Sequence, residues 1–139
     1  MSKYTKVQAI RRKEINNFPI GFAFSNKQFE EAKEKLNVKD DAELLSIPGG
    51  GFIRKTDKEA YTTLFAKMDK EDKEFLLDDD YMFQGFLYEL ANHEFCYNED
   101  PTDTLMCFGL SFEDLHNDSR LLRIFEEAKS KYFAQNREF

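Results

Sequence analysis

Helix-start and helix-stop signals recur along the whole chain, and they limit its fold more than any other feature. Ser25 precedes Gln28, Thr56 precedes Glu59 and Ser111 precedes Asp114, each at the three-residue spacing of a capping box. Asp100 stands before Pro101, and Asp118 stands before the last apolar stripe, two further helix starts. Pro19 stops a first helix, because proline has no amide proton and restricts the residue before it. Gly109 stops a later one as a left-handed C-terminal residue.

Apolar residues fill the intervals at helical period. The segment 3–17 carries Tyr4, Val7, Ile10 and Ile15 among Lys, Arg and Gln. Segment 26–36 carries Phe29, Ala32 and Leu36, and a further helix is expected over 57–68. The charged run MDKEDKEFLLDDD is expected to hold a helix end and a turn. The most hydrophobic helix spans 81–95, with Met82, Phe83, Phe86, Leu87 and Leu90 in register. Gly85 interrupts it at a cost of about 1 kcal/mol relative to alanine, which predicts a close approach by another element. The last helix aligns Leu121, Leu122, Ile124, Phe125, Ala128 and Tyr132.

Three stretches read as extended: GFAFS (21–25), AELLSI (42–47) and GFIRK (51–55), the last two joined through PGG. Fifteen Phe and six Tyr outweigh β-branched residues as core material, which favours helix packing over a large sheet. The expected fold is α+β, a helix-rich single domain over 1–139. It carries a small antiparallel sheet of two or three short strands in the N-terminal half. Its length suffices for a core without disulfide or metal support.

No apolar run reaches the roughly 18 residues of a membrane span, and the N-terminus lacks the apolar centre of a signal peptide. Cys96 and Cys107 show no framework spacing and read as reduced thiols. A cytoplasmic protein without membrane contact is expected.

Charge is unevenly placed. Residues 69–118 hold 15 acids against Lys70 and Lys73, whereas both ends of the chain are net basic. Such a middle either matches the basic ends internally or forms a one-signed face. As a face it would meet a basic surface on another protein through Asp78, Asp79, Asp80, Glu99, Asp100, Asp103, Glu113 and Asp114, with Phe or Tyr anchors beside them. The triplet Asp78–Asp80 lacks the spacing of a calcium loop.

Gly49, Gly50 and Gly51 raise the question of a phosphate loop. They precede a strand rather than a helix, no Gly-Lys-Ser/Thr follows, and a dinucleotide fingerprint fails because the glycines are contiguous. A hairpin turn is the simpler reading, with Arg54, Lys55 and Lys58 as the residual argument for an anion. Glu89 and His93 are four apart and share a helix face, where such a pair can hold a divalent metal or orient a base. Without an H-E-x-x-H or C-x-x-C motif, the expectation is a hydrogen-bonded histidine at the edge of an aromatic core, with no metal and no cofactor. Cys107 is expected to be a buried, inert thiol. The stretch DTLMCFGLSFEDLHND looks like helix–turn–helix. It would offer Glu113 and Asp114 to phosphates, so it reads as a packing turn without direct nucleic-acid binding.

Four segments, FPIGFAFSNKQFEEA, GGGFIRKTD, YELANHEFCY and DTLMCFGLSFEDL, carry a resemblance that spans most of the chain. The chain resembles an uncharacterised family of short acidic proteins from Gram-positive bacteria, their phages and mobile elements. The resemblance implies a setting, a host-directed accessory role such as blocking a defence system, and no catalytic residues.

Three functional expectations follow. The first is a non-enzymatic protein-binding module, acting as an inhibitor through its acidic face. The alternative is a small-ligand-binding protein or enzyme that uses Glu89 and His93 near the Gly49–Gly51 turn and Arg54. The third is a homodimer that buries its excess Phe between subunits.

Overall fold

The computed structural model describes residues 1–136; Arg137, Glu138 and Phe139, which the expected domain includes, lie outside the described residues. In chain order the elements are α1 (Lys3–Asn17), α2 (Asn26–Lys35), β1 (Leu44–Ser46), β2 (Phe52–Arg54), α3 (Lys58–Phe75) and α4 (Asp79–Asn92). Four more helices follow: α5 (Phe95–Asn98), α6 (Thr102–Met106), α7 (Phe112–His116) and α8 (Ser119–Gln135). The protein is helix-rich, with a small antiparallel sheet in its N-terminal half. The described residues divide into two compact units, Ile10–Asp69 and Met1–Ala9 with the chain from Lys70 onward, so the boundaries fall inside α1 and α3.

In the unit Ile10–Asp69, β1 and β2 pair antiparallel, with Leu45 opposite Ile53. Gly49 and Gly50 make the turn with φ of +94° and +91°, values that glycine adopts without a Cβ penalty. The amide of Ile47 closes the turn on the carbonyl of Gly51 at 3.0 Å. Phe52 enters a small core with Ala32, Leu36 and Val38.

The third expected strand, 21–25, shrinks to one bridge between Gly21 and Phe52. The amide of Phe24 donates to Gln28 Oε1 at 2.8 Å, so it serves the start of α2 instead of a sheet. Ser25 Oγ accepts from the amide of Gln28 as expected, while the return bond lands one residue early. The expected Thr56–Glu59 box is also absent among the described contacts. A 3-10 turn over Lys55–Asp57 opens α3 there. α3 also runs to Phe75, beyond the expected end at 68, because Asp69–Lys73 and Lys70–Glu74 sit at i,i+4 in a segment of good helix formers.

The other unit is built on α4 and α8, its most extensive packing. Met82, Phe86 and Leu90 of α4 face Leu121, Ile124, Phe125, Ala128 and Tyr132 of α8, all buried. Phe86 meets Phe125 edge-to-face at 5.2 Å and Phe108 at 5.0 Å. Tyr4 and Val7 join this core, whereas Ile10, expected on the same stripe, is exposed. Asp78 caps α4 by accepting from the amide of Tyr81, and Asp118 caps α8 by accepting from those of Arg120 and Leu121. α4 stops at Asn92 rather than 95, because Glu94 takes a left-handed φ of +53° and α5 starts anew.

Candidate functional site

The last turn of α4 and the end of α6 bring three chemically distinct side chains together. Glu89 projects from α4 and is 6% exposed; His93 is the C-terminal cap of the same helix and is half-buried. The i,i+4 pairing is present, with His93 Nε2 at 3.4 Å from Glu89 Oε2. Cys107, at the C-terminal cap of α6, supplies the third group. Its Sγ donates to Glu89 Oε2 at 2.9 Å and lies 3.5 Å from His93 Nε2. Thr104, fully buried, donates its hydroxyl to the Glu89 carbonyl at 3.2 Å and so fixes α6 on α4.

The electrostatics follow from this packing. Burial, then the hydrogen bond and charge of Glu89, push the Cys107 thiol up to about 12, and the Asp103 charge adds to the effect. Burial, with the charges of Glu89 and Cys107, likewise raises the Tyr4 hydroxyl. At neutral pH Cys107 is therefore a protonated donor, not a thiolate nucleophile.

This corrects the sequence reading of Cys107 as a buried thiol, while its raised titration keeps it unreactive as expected. The residue is exposed while its sulfur faces Glu89 and His93, because α6 ends at Met106 and leaves Cys107 on the outer turn. No spacing rule could have joined Cys107 to Glu89, 18 residues earlier. The glycines proposed to complete this site belong to the other unit, as the hairpin turn. Arg54 is engaged there, with Nε at 2.7 Å from Asp57 and a guanidinium nitrogen at 3.3 Å from the Leu36 carbonyl.

The eight acids expected to meet a partner divide into two groups. Asp78 caps α4 and pairs with Lys3 at 2.9 Å, and Asp79 pairs with Arg120. Asp100 accepts from the amide and hydroxyl of Thr102, and Asp114 forms a complete capping box with Ser111. The Tyr81 amide, with Lys3, holds the Asp78 carboxyl below its usual range; the Thr102 hydroxyl does so for Asp100 and the Ser111 amide for Asp114. Asp80, Glu99, Asp103 and Glu113 form no ion pair among the described residues.

An apolar groove of about 480 Å³ is lined by Pro101, Leu105, Met106, Leu110, Phe112 and Asp114 among others, and Asp114 is its one carboxylate among the described residues. Met106 and Phe112 are 68% and 60% exposed, and sequence reasoning singled out neither. The turn between α6 and α7 places Gly109 at φ +67° and buries Leu105 and Leu115 on either side of it.

No described helix is long and apolar enough to cross a membrane. No curated protein and no solved structure matches the chain. A family model matches residues 3–131, nearly the whole length, and the chain belongs to that family, a family of unknown function designated DUF7659.

Proposed function

We propose that this protein is a non-enzymatic binding module that docks a basic, partly apolar segment of another protein along its α6–α7 edge. The observation that carries the reading is the groove with Met106 and Phe112 exposed beside it. It lies in the acid-rich stretch of 15 carboxylates against two lysines. Exposed large apolar side chains at a concave site are the usual anchors of an interface, and surrounding charge adds rate and selectivity. Asp114 lines the groove, and Glu113 stands on the same short helix. The resemblance to proteins of phages and mobile elements extends the proposal to setting: a cytoplasmic inhibitor of a host defence protein.

A pull-down from extracts of cells that carry the protein, at low and high salt, tests the reading. The expected result is one protein retained near stoichiometrically by the wild type, released by salt, and lost with Phe112→Asp or Glu113→Lys. Retention unchanged by both variants, or none at either salt, overturns it. A second reading, a small-ligand protein or enzyme built on Glu89 and His93, gains support from Cys107, which completes a three-group cluster there.

A further inference from the structure

We propose that Glu89, His93 and Cys107 form a zinc(II) site, with the protein supplying three ligands and water the fourth. The inference is independent of the docking reading.

Geometry is the first support. A tetrahedral zinc with bonds of about 2.0 Å to oxygen and nitrogen and about 2.3 Å to sulfur spaces its ligand atoms roughly 3.3–3.6 Å apart. Here the nitrogen–oxygen separation is 3.4 Å and the sulfur–nitrogen separation 3.5 Å. The sulfur–oxygen separation, 2.9 Å, is shorter because a proton lies between the two atoms. Zinc in place of that proton needs them to part by roughly half an ångström. Cys107 is the C-terminal cap of the five-residue α6, and its Sγ is where that shift takes place.

Charge is the second. The Glu89 side chain is 8% exposed, and the group among the described residues that could pair its charge is His93, which is cationic only when protonated. A buried carboxylate needs compensation, and a divalent cation shared with a thiolate leaves the cluster near neutral. The donor set then selects the ion. One carboxylate with an imidazole and a thiol is too soft and too poor in oxygen for calcium or magnesium, and suits zinc.

The surroundings are also those of a metal site. Thr104 fixes the Glu89 backbone, so the helix turn that carries the carboxylate is held against α6. The His93 side chain is 29% exposed, which leaves the outer side open to water. Three protein ligands leave one tetrahedral position, which water fills.

The test is cobalt(II) titration of the chelator-stripped full chain, followed by zinc displacement, with thermal unfolding of the wild type in parallel. Expected are one cobalt per chain, a thiolate-to-cobalt charge-transfer band with the strong visible bands of tetrahedral cobalt, and loss of both on zinc addition. Cys107→Ser should abolish the charge-transfer band and Cys96→Ser should keep it. His93→Gln should weaken binding by at least about tenfold. Zinc should raise the wild-type Tm. No band and no Tm change with excess metal, or a band that follows Cys96 in place of Cys107, overturns the proposal. Should Cys107→Ser fail to fold, the wild-type spectrum and His93→Gln decide it.

Discussion

Gly85→Ala sets two opposing effects of known size against each other. Alanine is favoured over glycine in a helix interior by about 1 kcal/mol. Yet a Cβ at position 85 would stand 2.8 Å from two ring carbons of Phe108 and 3.0 Å from the Tyr4 ring. Neither ring can retreat freely, since Phe108 packs against Tyr4 at 5.5 Å and Phe86 at 5.0 Å, and Tyr4 packs against Tyr81 at 5.3 Å. Overpacking of this kind costs about 1–3 kcal/mol, so the net change is a loss of about 0–2 kcal/mol. Urea unfolding should show a lower midpoint with an unchanged slope. In a Phe108→Ala background the main clash is gone, and the same Gly85→Ala change should become neutral or stabilising. A double-mutant cycle reads that reversal as a coupling energy of about 1–3 kcal/mol. Stabilisation of the wild type by the full helical increment would refute the reasoning, because it would mean the rings do not hold α4 to glycine.

Phe86→Ala should cost about 3–5 kcal/mol in the same assay, since the ring is fully buried between Phe108 and Phe125. Asp78→Ala, which removes the α4 cap, should cost about 1 kcal/mol, while Asp80→Ala stays within about 0.5 kcal/mol. The folded values of Asp78, Asp100 and Asp114 lie below their unfolded ones. Their stabilisation is therefore present above the unfolded value and is lost as pH falls through the folded values, so unfolding midpoints should drop on that acid limb. Asp78→Asn should flatten part of the drop. Cys107, although exposed, should react slowly with iodoacetamide at pH 8 in a Cys96→Ser background, because its thiol titrates near 12. Glu89→Gln should speed that reaction; a wild-type rate equal to that of a free cysteine would contradict the Glu89–Cys107 bond.

What the sequence disclosed was local. Caps at Ser25, Ser111 and Asp118 and the turn at Gly49 and Gly50 rest on atoms two to five residues apart, so spacing alone found them. By contrast, α6 starts one residue later than expected, with Pro101 as its N-terminal cap and Asp100 accepting from the Thr102 amide. Gly85 was legible for another reason: a glycine inside a strongly apolar helix has a propensity cost that needs a cause, and Phe108 supplies it. The failures share the opposite character. The amide of Phe24 could have joined a sheet or capped α2, and the position of Gln28 decided between the two. Two of the three groups in the Glu89–His93–Cys107 cluster were visible as an i,i+4 pair on one helix, and one more was not. That third group, Cys107, depends on where α6 lands, which Thr104 and the packing of Leu105 determine.

The acidic stretch shows why charge counts overstate a charged face. A carboxylate at a helix start satisfies amides that have no other partner, so a chain with many short helices needs many acids for structural reasons. Asp78 and Asp118 serve as such caps, Asp114 returns the Ser111 cap bond, Asp100 accepts from the Thr102 amide beside the start of α6, and Asp79 pairs with Arg120 from the basic C-terminal segment. Glu89 is buried among aromatic residues and points at a histidine and a thiol. The capping carboxylates keep their charge but are held in place by amides, and the acids outside these roles, such as Asp80, Glu99, Asp103 and Glu113, supply the rest of the field; charge of this kind selects little by itself. It gains selectivity where it adjoins an apolar anchor, and Glu113 beside Phe112 on α7 is such a place.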